Sequence, residues 1–298
     1  MRSLSISLLA LTACGPFHNS RQAPDAVTAI AELNTPFDDF NAAKPRHWQR
    51  IVWSTNRGSE GQNLDVWIAE VAWGRPPSVV QKPTPFSPGL MSSKDERGPL
   101  VMPGRTFDPR PGASSADTLV FASDRDGGAG GLDLYSASLV RTETAEVTPF
   151  AALNTAANEA YLTLPYGQNT AMFASDRDGN YDLWEVTLGA GGFAGELTNL
   201  TRVAALSSDR DDTAPYVDRE FVLFASKRDG DDFDLYCAKR ANGAWSAPKP
   251  IAIANSDHDE FRPSLLSADG ANFLVFSSNR PGGAGGYDLY TVRFDDCR

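Results

Sequence analysis

Five times in 298 residues the chain writes the same two short phrases in the same order. The first is an aromatic, a small residue, Ser or Thr, a polar residue and Arg: WSTNR from Trp53, FASDR from Phe121 and again from Phe173, FASKR from Phe224, and FSSNR from Phe276. The second follows a turn: LDVW from Leu64, LDLY from Leu132, YDLW from Tyr181, FDLY from Phe233 and YDLY from Tyr287. The five arginines, Arg57, Arg125, Arg177, Arg228 and Arg280, lie 68, 52, 51 and 52 residues apart. A period near fifty points to a repeat architecture, in which each copy buries its apolar face against its neighbours.

Each copy reads as strands. The two phrases are β-rich runs flanking a Gly-rich turn, which is a hairpin, as in NFLVFSSNRPGGAGGYDLYTVRF from Asn272. A third run precedes them and opens on an acidic pair: Asp38-Asp39, Asp95-Glu96, Asn158-Glu159, Asp211-Asp212 and Asp259-Glu260. A fourth, such as WSAPKPIAIA from Trp245, links one copy to the next. Four strands per unit of this length make a propeller blade. The expected fold is all-β, a five-bladed β-propeller of four-stranded blades. The last copy ends at Arg298 without an outer strand, and DAVTAIAELNT at 25–35 aligns without gaps to AEVTPFAALNT at 145–155. Residues 25–33 are therefore expected to complete the fifth blade and close the ring.

The paired phrases S-D-R-D-G and D-[LV]-[YW] resemble the TolB-type, WD-like β-propeller repeats of bacterial periplasmic and outer-membrane lipoproteins, over essentially all of the chain after about residue 25. The family's namesake has six such blades and an additional α/β domain, so its particular role is not carried over with the repeat.

The first residues belong to a different grammar. MRSLSISLLALTAC has a positive start, a short apolar run and a cysteine after LTA, and resembles a lipoprotein signal cut before a lipidated Cys14. The apolar run is too short for a membrane-spanning helix. The expected organisation is a signal peptide at 1–13, a tether at 14–24 and the propeller at 25–298, lipid-anchored at the outer membrane, a placement that Gly15 after the cysteine resembles. An ordinary secreted start is the alternative. Cys237 and Cys297 remain, free to pair in an exported protein or to act as small buried side chains.

Residues present in every copy are read as scaffold. Each signature Arg is expected to meet a carboxylate, with the Asp that opens the partner strand (Asp65, Asp133, Asp182, Asp234, Asp288) as the natural candidate. The strand order places acidic pairs and RDG-type turns on one face, where Asp39, Glu96, Glu159, Asp212 and Glu260 are expected to form an acidic collar around the channel. This collar is a candidate docking surface for an envelope protein or peptide, with a solvated rim as the plain alternative. On the opposite face a long loop, 102–117, breaks the symmetry and carries Arg105, Phe107 and Arg110, a second candidate partner-binding patch or a tolerated insertion. The loop DRDGNYD, 176–182, mimics a calcium loop but also suits a tight turn. His258 is read as a surface residue.

The net charge of −11 argues against nucleic acid, which needs clustered Lys and Arg. No GxSxG, no HExxH and only three histidines leave serine hydrolase and zinc chemistry unsupported, and no cofactor, metal or catalytic residue is assigned. Five-bladed propellers include glycoside hydrolases that work with channel carboxylates, whereas equivalent carboxylates in every copy argue for symmetry. The leading reading is thus a lipid-anchored, non-catalytic envelope module that binds or scaffolds an envelope protein or peptide, or a glycan. The alternative is a carbohydrate-active hydrolase.

Overall fold

The computed structural model describes residues 23–44, 50–74, 77–87, 89–104, 116–139, 146–165, 167–218, 220–268, 271–295 and 297. Cys14, the signal segment, and Arg105, Phe107 and Arg110 lie outside the described residues.

The chain forms five antiparallel blades arranged as a five-bladed β-propeller. The first strand, β1 (Thr28–Ala29), stands apart from its sequence neighbours. Blade one is β2 (Asp39–Ala43), β3 (Arg50–Thr55), β4 (Asp65–Ala72) and β5 (Ser78–Pro85); blade two is β6 (Glu96–Met102), β7 (Thr118–Ser123), β8 (Asp133–Ser138) and β9 (Val147–Pro149). Blade three is β10 (Glu159–Thr163), β11 (Thr170–Ser175), β12 (Asp182–Leu188) and β13 (Leu197–Arg202). Blade four is β14 (Asp212–Val217), β15 (Phe221–Ser226), β16 (Asp234–Ala241) and an outer edge broken into β17 (Ala244–Trp245) and β18 (Lys249–Pro250), both paired to β16. Blade five is β19 (Glu260–Ala268), β20 (Ala271–Ser278) and β21 (Asp288–Arg293), with β1 as its outer strand.

Burial explains the strand compositions. Second strands such as β7 and β11 are buried along almost their whole length between neighbouring blades, so they read as unbroken apolar runs. Outer strands such as β13 are exposed and polar.

Ring closure follows the repeat. β1 pairs Thr28 with Thr291 and Ala29 with Tyr290. Asn34 then donates to the Leu289 carbonyl and accepts from its amide, as Asn154 does with Leu134 and Asn255 with Leu235. All five seams between blades use one pair of bonds. The backbone N–H of the acidic pair's second residue donates to the carbonyl of Leu64, Leu132, Tyr181, Phe233 or Tyr287 at 2.6–2.7 Å. The amide of that same residue donates back to the side chain of the pair's first residue at 2.8–3.0 Å. At the closing seam, Gly285 presses its backbone onto blade one: a Cβ there would lie 2.0 Å from the Phe37 carbonyl oxygen.

Cys237 in β16 and Cys297 beyond β21 are joined as a disulfide with a Cα separation of 5.7 Å, tying the C-terminal end to blade four. The sequence left this pairing open.

Candidate functional site

The five carboxylates expected to form an acidic collar are placed differently. Asp39, Glu96, Glu159, Asp212 and Glu260 are each 0% exposed. Each is held by the signature Arg of its own blade: Arg57 on Asp39, and Arg125, Arg177, Arg228 and Arg280 on the other four at 2.5–3.1 Å. A Ser or Thr four residues upstream (Thr35, Ser92, Thr155, Ser208, Ser256) donates its hydroxyl to the same carboxylate. The arginine also donates to the carbonyl of the preceding link residue, Leu33, Leu90, Leu153, Leu206 or Ala254. Its guanidinium lies against the aromatics of both phrases, as Arg177 does on Phe173 and Trp184 at 5.5 and 4.7 Å. This clamp fixes the inner strand, the hairpin and the link at once, so these carboxylates are scaffold and offer no exposed collar.

The arginine's partner is also corrected. It is the inner-strand carboxylate, not the Asp that opens the third strand. Asp133 and Asp288 instead accept backbone amides of their own Gly-rich turns, and Asp182 is gripped by Arg202 at 2.6 Å. In the calcium-like loop, Asp176 accepts from Asn158 and Asp182 is in that ion pair, so much of its oxygen is already committed to protein. Among the described residues no cluster of His, Cys, Asp or Glu is arranged to hold a metal.

On the face of the acidic pairs, the ring opens into a cavity of about 410 Å³. Its wall is aromatic: Phe40, Tyr161, Tyr181, Phe233, Phe261 and Tyr287, with Leu64 and Leu132. These rings pack on one another, Phe40 stacked on Phe261 at 5.1 Å and edge-on to Tyr287 at 4.7 Å, and Phe233 edge-on to Phe261 at 5.0 Å. Polar groups punctuate the wall: Asp38, Asp211, Thr213 and Arg97. Arg97 is paired to Asp95 at 2.5 Å. Asp38 and Asp211 accept the seam amides, and Oδ2 of Asp211 accepts no hydrogen bond among the described residues. The Tyr287 hydroxyl donates to Asp259 at 2.6 Å, and burial together with that carboxylate pushes its pKa up.

The floor is made by the inner strands. Each carries a bulge two residues past its clamped carboxylate, where φ is positive: Asn41 at 60°, Gly98 at 59°, Tyr161 at 59°, Ala214 at 52° and Arg262 at 50°. Gly98 is required twice over, because a Cβ would also strike the Tyr161 ring at 2.5 Å. Tyr161 fills the centre, its ring edge-on to Phe261 at 5.5 Å. Arg262, 3% exposed, crosses from blade five to the carbonyls of Pro215 and Tyr161 at 3.2 and 3.4 Å.

Sequence reasoning missed this funnel. Its residues sit one place beyond the acidic pairs (Phe40, Arg97, Thr213, Phe261) and one place before the Asp of the second phrase (Leu64, Leu132, Tyr181, Phe233, Tyr287). The available signal was variation in chemistry between copies at framed positions.

No protein-family model and no curated protein sequence matches the chain. Solved structures do. The chain is similar to an endo-arabinase from Bacteroides thetaiotaomicron (TM-score 0.56, 13% identity, 92% of this chain and 98% of that one). It is also similar to an α-L-arabinofuranosidase from Lactobacillus brevis (TM-score 0.58, 14% identity, 92% and 94%). TolB from Acinetobacter baumannii is among the neighbours at TM-score 0.43 and 13% identity, over 87% of this chain and 55% of that one. At these identities the likeness shows the fold.

Proposed function

We propose that the protein is a carbohydrate-active propeller that seats a saccharide in the aromatic funnel. The observation that carries this reading is the wall itself: six aromatic rings around a cavity of about 410 Å³, with a few polar side chains between them. Such a site offers flat apolar faces for the C–H faces of sugar rings and fixed donors and acceptors for hydroxyls. That solved propellers of the same architecture carry the names of arabinan-acting enzymes supports a glycan over a protein partner. The protein-docking reading loses its exposed collar and keeps the patch of Arg105, Phe107 and Arg110, which lies outside the described residues. Envelope anchoring through Cys14 remains part of the proposal, and would hold the funnel at the cell envelope.

Calorimetric titration with arabino- and galacto-oligosaccharides tests it. Binding by the wild type that is lost in Phe40→Ala and Phe261→Ala, with unchanged circular dichroism, is the expected result; no heat with any oligosaccharide refutes it. Hydrolysis is a second reading, favoured by the open Oδ2 of Asp211 on the funnel wall. Its test is release of reducing ends, abolished in Asp211→Asn.

A further inference from the structure

The centre of the ring holds a charge without a counter-charge. Arg262 is buried, its Nη1 donates only to two carbonyls, its Nε has no partner, and no carboxylate lies within ion-pair distance of it among the described residues. Asn41, fully buried on the inner strand of blade one, has neither its side-chain oxygen nor its nitrogen satisfied. The Tyr161 hydroxyl feels Arg97, Arg262 and the Asn41 amide, each of which favours its ionised form against the larger effect of burial. Burial pushes the Tyr161 hydroxyl up and pulls Arg262 down to about 10, so at neutral pH the tyrosine is uncharged and the arginine is still a cation. Two guanidinium groups and an amide with unused donors thus converge beneath a chain whose net charge is −11. Unpaired buried cations and unsatisfied buried amides are rare in folded proteins, and the field of an unpaired cation favours an anion placed near it.

We infer that the floor of the funnel is an anion site and that the saccharide it selects carries a carboxylate. Arg97, on the cavity wall, makes the direct contact. Arg262 lies 5.4 Å from the Tyr161 ring and is not itself on the wall, so it supplies unneutralised charge from behind that ring. Arg97 already gives Nε and Nη2 to one oxygen of Asp95, so the ligand carboxylate meets the remaining Nη1 side of its guanidinium. The ligand's sugar rests on the saccharide reading above; its charge rests on Arg97 at the wall and Arg262 behind it.

The test is a thermal-shift and calorimetric comparison of tri-galacturonate with galactotriose, and of acetate with acetamide, at equal ionic strength, on the wild type, Arg262→Met and Arg97→Met. The expected result is tri-galacturonate binding about tenfold or more tighter than galactotriose, with the preference lost in both variants. The wild-type comparison stands whether or not a variant folds. Acetate binding that Arg262→Met abolishes, with both trisaccharides silent, upholds the anion site and sinks the saccharide reading. Equal binding of the two trisaccharides with acetate silent overturns the anion site and leaves the saccharide reading standing. Silence from every ligand overturns both.

Discussion

Arg177→Ala tests the clamp that the five repeats share. In the wild type, Glu159 has no exposed surface and accepts from Arg177 at 3.1 Å, from Thr155 and from Ser175, while Arg177 is only 15% exposed. Removing the arginine takes away the only cation paired to it among the described residues and leaves the carboxylate buried. Breaking a buried pair in this way costs about 3–5 kcal/mol, far more than the pair contributes relative to an apolar substitute. The lost stacking on Phe173 and Trp184 acts in the same direction. For a chain of this size the Tm should fall by roughly 5–10 °C. Differential scanning calorimetry of the wild type, Arg177→Ala and the double variant Arg177→Met/Glu159→Gln reads the effect directly. The double variant should recover much of the loss, because it removes the stranded charge. Arg210→Ala, which breaks the exposed pair with Asp231, is the control and should leave the melt unchanged. If Arg177→Ala melts with the control, the buried clamp is not what holds the blade together.

Three other outcomes follow from the same structure, and a fourth tests the proposed lipid anchor. Asp234 is pushed up to about 6 by burial, then by Glu260, Asp232 and Asp229; the folded chain therefore keeps this proton to higher pH than the unfolded chain, and the associated stability, full below about pH 4, is lost as pH rises through 6. Asp234→Asn should accordingly raise the Tm at pH 8 and leave it unchanged at pH 3.5. Reducing the Cys237–Cys297 bond, which spans 60 residues, should lower stability in urea titration by about 4 kcal/mol or less on the chain-entropy account. Gly285→Ala should loosen the closing seam, because its Cβ would meet the backbone oxygens of Phe37 and Thr35, and amide exchange at Asp39 and Thr291 should accelerate ahead of the rest. Cys14→Ser should abolish labelling by a radioactive fatty acid in cells and release the chain from the membrane fraction.

The scaffold was legible where a contact repeats. Arg57, Arg125, Arg177, Arg228 and Arg280 announced themselves by position, and Asn34 was placed correctly because its segment copies that of Asn154. The arginine's partner was not legible, for a geometric reason. Ser175 sits opposite Glu159 on one side and opposite Asp182 on the other, so two carboxylates flank the same point of the hairpin at equal register. Sequence cannot choose between them. The choice is made by Thr155, which brings a hydroxyl to Glu159, and by Arg202, which occupies Asp182. The funnel was illegible for the opposite reason: Phe40, Arg97, Thr213 and Phe261 hold one structural position and present an aromatic, a cation and a hydroxyl, with no shared signature.

The same split accounts for where cost is tolerated. Two of the five inner bulges carry small residues, Gly98 and Ala214, whereas the other three carry Asn41, Tyr161 and Arg262 at the same positive φ. A non-glycine side chain there costs on the order of 1–3 kcal/mol. A ring of identical blades has no structural need for three different, bulky, polar side chains at its axis, since glycine satisfies the bulge in blade two. Strain and unsatisfied polarity therefore coincide at the one place where the copies disagree most, beneath the aromatic funnel. The fivefold clamp supplies the stability that lets the axis depart from symmetry.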